Sequence, residues 1–152
     1  MQKGSTLVEI IIVIAVIGIL VSTAIPRLAN ALANQELDTF AVNLAADIRS
    51  IQQTSMNLAG EDAPLYRIYF NNASGDPYYF IHNGYKAIKV VYLPKHIEMT
   101  GDPGYIMFSH KGAPLRGQTI ELKCKGTRKY LHVYIAGATG RVRISPSGNL
   151  AD

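Results

Sequence analysis

The chain has 152 residues, 48 % of them hydrophobic and 17 % charged, with a formal net charge of +4 and a pI near 9.2. That length accommodates one membrane or docking segment plus one compact domain of about 100 residues, and leaves no room for a second core. Cys124 is the only cysteine, which excludes an intramolecular disulfide and every zinc-ribbon, haem-attachment or redox-pair spacing.

The chain opens on a short basic leader, Met1-Gln2-Lys3-Gly4, followed by Ser5-Thr6-Leu7-Val8-Glu9 and then by residues 10–25, which carry no charge. A single carboxylate therefore stands at the head of an apolar run. A charged residue at a membrane helix centre costs about 2.5 to 3.5 kcal/mol on insertion scales, so Glu9 calls for a partner. Several readings compete. A secretory signal needs a small-x-small cut after its apolar stretch, and Ser22-Thr23-Ala24-Ile25-Pro26 supplies only a poor one. A plain anchor needs about 20 apolar residues and leaves Glu9 unexplained. A buried core helix of a soluble protein is a third reading, although a helix apolar on all sides usually faces lipid or other helices.

At these residues the sequence resembles the type IV pilin and pseudopilin family. Members share a short basic leader ending in Gly, a cut on the cytoplasmic side of the apolar helix, and Glu as the fifth residue of the mature chain. The resemblance implies that Gly4 ends the leader, that Ser5 becomes the new, N-methylated terminus, and that Glu9 is the fifth residue counted from it. Gly18 and Pro26 also match positions where the family commonly places a glycine and a helix-loosening proline. The family usually has Phe after the cut; Ser5 departs from that and leans towards a minor subunit.

The resemblance also implies partners: a prepilin peptidase, an inner-membrane assembly platform and other pilin or pseudopilin subunits. The subunit is expected to rest in the membrane before assembly, with its head outside the cytoplasm. Cleavage would leave a cationic amine on Ser5 and a carboxylate on Glu9 one helical turn away. Glu9 of one subunit can then neutralise the Ser5 amine of a neighbour, removing two unpaired charges from a low-dielectric core and fixing axial register.

Pro26 lacks the N–H that would bond back to Ser22 and its ring crowds that turn, so a bend or loosening is expected there. Beyond it Leu28, Leu32, Leu37, Phe40, Ala41, Leu44, Ala45, Ile48 and Ile51 follow helical spacing, with Glu36, Asp38, Asn43, Asp47 and Arg49 on other faces. This half is expected to lie against the head and to stop near Leu58-Ala59-Gly60. The expected organisation is a leader at 1–4, a membrane and filament-core helix at 5–27, its amphipathic continuation at 28–59, and a β-rich head at 64–152.

From residue 65 the period changes to two. Strands are expected near 66–70, 78–81, 86–93, 105–109, 119–125, 130–136 and 141–145, separated by Gly or Pro. The fold class is α+β, a long helix packed on one or two antiparallel sheets in a meander of about seven strands. Ile120, Leu122 and Cys124 share one face, which makes Cys124 a core residue. The runs around Phe108-Ser109-His110-Lys111-Gly112 and Gly140-Arg141-Val142-Arg143-Ile144 resemble H-type minor pseudopilins and FimT minor pilins, which implies a place at or near a filament tip.

Charge is unevenly spread: residues 86–143 hold eleven Lys or Arg against three acids. In the FimT branch a Gly-Arg-x-Arg motif is associated with DNA binding. With Val142 and Ile144 turned inward, Arg141 and Arg143 point out together, about 7 Å apart along the strand, a spacing close to that of successive phosphates on one nucleic-acid strand. Tyr130, His132 and Tyr134 are expected outward beside them, where aromatics can stack bases. Lys123, Lys125, Arg128 and Lys129 are expected to widen the basic surface. An exposed arginine pair is also ordinary solvation. His82, His96, His110 and His132 sit at no metal-ligand spacing, and no catalytic nucleophile or phosphate-cradling loop is present, so no enzymatic activity, cofactor or metal is expected. The expected function is a structural subunit of a type IV pilus or type II secretion pseudopilus; DNA uptake and engagement of secreted substrates at the tip are the alternatives.

Overall fold

A computed structural model describes residues 6–58, 66–72, 75–101 and 103–146. One helix, α1 (Leu7–Asn57), spans 51 residues, which at 1.5 Å per residue is about 76 Å. Thr6 caps its start: the Thr6 hydroxyl accepts from the Glu9 N–H at 3.4 Å, and Glu9 lies in the first turn, where its charge complements the helix dipole. Pro26 sits inside the helix without ending it. The stop comes where Leu58 donates its N–H to the Thr54 carbonyl, within the expected stop at Leu58-Ala59-Gly60, of which Ala59 and Gly60 lie outside the described residues.

Eight strands follow among the described residues: β1 (Arg67–Asn71), β2 (Tyr78–His82), β3 (Ala87–Tyr92), β4 (Ile97–Thr100), β5 (Tyr105–Met107), β6 (Gln118–Cys124), β7 (Tyr130–Ile135) and β8 (Val142–Ser145). They form two antiparallel four-stranded sheets, ordered β3-β2-β1-β5 and β4-β6-β7-β8. The molecule is thus α+β, as the periodicity indicates.

Two details depart from a simple meander of about seven strands. Strand β4 was not expected, although Ile97 and Met99 are buried while Glu98 and Thr100 are exposed. It is only four residues long, lies between Pro94 and Gly101, and pairs with β6 rather than with its neighbour in sequence. Strand β5 then returns to the first sheet beside β1. The chain therefore exchanges sheets three times, between β3 and β4, β4 and β5, and β5 and β6, a choice made by burial on the two inner faces rather than by local pattern.

The core lies between α1 and the two inner faces. Leu37, Ala41, Leu44, Ile48 and Ile51 recur every three or four residues along one helix stripe and are at most 3 % exposed. That stripe packs on β6, β7 and β8, whose inward residues include Ile120, Leu122, Val133, Ile135 and the buried Cys124. The first sheet contributes Ile68, Phe70, Tyr79, Ile81 and Ile106. Phe40 meets Tyr79 edge to face, with ring centroids 6.0 Å apart, and so joins the helix to that sheet.

Candidate functional site

The N-terminal part of α1 has no partner among the described residues. No described residue before Ala33 is buried, and Leu7, Ile14, Ile19 and Ile25 are all more than 60 % exposed. This stretch is long and apolar enough to cross a membrane. Ser22 and Thr23 return their hydroxyls to the carbonyls of Ile19 and Leu20, at 2.8 and 3.0 Å, so they add no free donor to the apolar surface. Glu9 is exposed, stands between Val8 and Ile10, and forms no ion pair among the described residues. An apolar surface with one unmatched carboxylate in its first turn is complementary to a cation presented at the same depth by a neighbouring helix. Gly4 and Ser5, the expected cleavage and methylation positions, lie outside the described residues.

Residues 1–25 match the family model described as the prokaryotic N-terminal methylation motif. The chain carries the N-terminal signature of the type IV pilin and pseudopilin family. No curated protein and no solved structure matches it. In this pilin-like chain the signature implies processing by a prepilin peptidase and assembly with other pilin subunits. The long exposed helix is consistent with anchoring in a membrane.

The head of the pilin-like chain is fastened to α1 by polar contacts that helical spacing alone did not reveal. Asp47 accepts from the Tyr79 hydroxyl at 2.7 Å and from Lys89 Nζ at 2.7 Å, tying α1 to β2 and β3. Burial, with the hydrogen bond to Asp47 and its negative charge added, pushes the Tyr79 hydroxyl well above its ordinary range. Asp38 pairs with Lys129 at 2.6 Å, and Asn34 accepts from Thr127 at 2.8 Å, tying α1 to the β6–β7 turn. Arg49 donates to the Val142 carbonyl at 3.0 Å and Gln52 to the Gly112 carbonyl at 2.7 Å.

The last two bonds explain the glycine of Gly140-Arg141-Val142-Arg143. Gly140 has φ +68° and a Cβ there would run into the Gly112 carbonyl and the Gln52 amide. Only glycine suits both the backbone angle and the approach of α1. The motif's first residue is therefore structural, whatever its arginines touch.

Val142 is buried, Ile144 is half-buried, and Arg141 and Arg143 are exposed, so the expected alternation is present. Arg143 faces Tyr134 across the β7–β8 ladder. Arg49, which the sequence did not single out, lines one open groove with Arg141 and Arg143. The lysines do not extend this cluster. Lys123 pairs with Tyr130 at the far end of β7, whereas Arg141 accepts from Ala136 at the near end. Six residues of strand separate those ends, about 20 Å. Lys125 and Lys129 moreover meet Glu98 and Asp38 at 3.5 and 2.6 Å, while Lys123 and Arg128 are exposed. His132, expected outward, is instead buried at 8 % exposure, screened by the Tyr130 ring edge-on at 5.6 Å and by Glu121 opposite it on β6 at 3.9 Å.

Proposed function

We propose that the chain is a filament subunit, present as a minor component, of a type IV pilus or a type II secretion pseudopilus. The observation that carries this reading is the uncovered apolar surface of residues 7–25 with one carboxylate in its first turn. Before assembly that surface is solvated by lipid; in the filament it is covered by the same surface of other subunits. Removal of residues 1–4 at Gly4 creates the Ser5 amine that Glu9 of the next subunit neutralises, and Pro26 eases passage of the helix from bilayer to filament. Mass spectrometry of the N-terminus tests the reading. Loss of residues 1–4 with a methyl group on the Ser5 amine is expected, and an intact leader in cells with an active prepilin peptidase overturns it.

A second reading, contact with DNA, is supported by the convergence of Arg49, Arg141 and Arg143 on a groove of about 590 Å³ beside the exposed strand β8. Arginines placed along one strand suit successive phosphates. The expected result is a mobility shift of labelled duplex at low salt that weakens steeply as salt rises. Arg141→Ala with Arg143→Ala should flatten the salt dependence by about two in log–log slope. Binding unaffected by the double substitution removes this reading and leaves the filament role standing.

A further inference from the structure

Strand β3 ends the first sheet, and no described strand pairs with its outer edge. Leu93 donates to Pro77 at 2.9 Å, which fixes the ladder's phase: Leu93 and Val91 turn their backbone groups towards β2. In an antiparallel pair the direction alternates, so the N–H and C=O groups of Val90 and Tyr92 point away from β2, to the free edge. The β2–β3 ladder shifts register where Ile81 and His82 meet Lys89 and Ala87, so irregularity is confined to the start of β3 and residues 89–92 stay in regular register. The strand holds no proline, and its one charge, Lys89, is turned to Asp47 on α1 at 2.7 Å. Ile88, Val90 and Tyr92 are 49, 48 and 63 % exposed.

Two residues past the end of β3, Pro94 borders a groove of about 480 Å³ along α1, where Leu32 and Phe40 alternate with the polar Gln35, Glu36, Thr39 and Asn43. Glu36 forms no ion pair among the described residues. Backbone donors and acceptors in a row select a main-chain partner, and the groove selects that partner's side chains.

We propose that the β3 edge takes an extended segment of a second protein as an added strand. Its inward side chains are apolar and enter the groove against Leu32, Phe40 and Pro94, and a lysine or arginine at its end meets Glu36. The inference stands apart from the filament reading, since the edge groups it uses belong to the head and only Leu32 of the groove lies in the exposed half of α1.

The test uses the full chain in detergent micelles and a fluorescent, end-blocked peptide of seven alternating Val and Thr residues with one lysine at each end. Fluorescence anisotropy reads binding, and hydrogen exchange reads the amides. Wild type and Val90→Thr should bind, with the amides of Val90 and Tyr92 becoming protected. Val90→Pro removes one edge N–H without touching the β2 ladder, a position where strands tolerate proline, and should weaken binding at least tenfold with the melting temperature kept. Glu36→Gln should weaken it about threefold. Should Val90→Pro fail to fold, amide protection in the wild type still decides. Absence of binding, or binding without protection of Val90 and Tyr92, overturns the proposal. So does protection that appears without peptide and grows with protein concentration, which would assign the edge to a second copy of the chain.

Discussion

The two halves of α1 are one continuous helix and behave as two different objects. Residues 33–51 repeat apolar side chains on one stripe and polar ones elsewhere, and the stripe finds its cover in β6, β7 and β8. Residues 10–25 carry no charge on any side, and the stretch 7–32 finds no cover among the described residues. The contrast teaches that a helix reads its own environment: a stripe implies one neighbour, and an apolar surface all round implies lipid or other helices. The first half is built for contacts between molecules, the second for contacts within one.

Glu9→Leu should cut most deeply across that contrast. It leaves a neighbouring amine unpaired in a low-dielectric core, at about 3 to 5 kcal/mol, so subunits should drop out of filaments while the melting temperature of the head stays put. Normal incorporation measured by immunoblot of sheared filaments would end the pairing role. Matched truncations sharpen the comparison further. Ile48→Ala in the buried half should lower unfolding free energy by about 3 kcal/mol in chemical denaturation, whereas Ile14→Ala in the exposed half should stay within about 0.5 kcal/mol.

Gly140→Ala tests the far anchor of the buried half. Its positive φ and the approach of Gln52 and Gly112 should make it cost about 2 kcal/mol or more, with Arg141 and Arg143 still in place. Equal stability would mean that the glycine serves the arginines rather than the fold. Within the head a smaller effect is expected at Tyr79→Phe, about 1 kcal/mol for the lost bond to Asp47. The tyrosine's hydroxyl is held protonated in the folded state, so its contribution is whole below the unfolded value of 10.0 and is lost as pH rises above it. Wild type should therefore lose more stability than Tyr79→Phe between about pH 9 and 11; parallel pH curves would contradict this.

Much of the architecture was legible in the residues. Periodicity located α1 and its buried stripe, and alternation located β1, β2, β3 and β5 to β8, because each strand presents one face to a core. Thr6-x-x-Glu9 carried a capping signal that periodicity did not weigh. Strand β4 escaped because four residues between Pro94 and Gly101 give too short a pattern, and its partner β6 lies some twenty residues away in sequence. Arg49 escaped for a related reason: on the helix it is one more solvent-facing charge, and only packing brings it to Val142.

The sequence by itself determined the long helix, the burial of Cys124 and the place of Glu9 at the head of an apolar run, since these follow from spacing along the chain; it placed the division of the helix at residue 28, whereas Leu28 and Leu32 are exposed and burial begins at Ala33. The tertiary structure alone decided which sheet each strand joins and that the basic residues form two clusters at opposite ends of β7. It also decided that Gly140 is a packing residue, that Asp47 is a bridge, and that β3 has an open edge. Those outcomes depend on residues distant in sequence meeting across a core, where burial and hydrogen-bond geometry, rather than local period, select the partner.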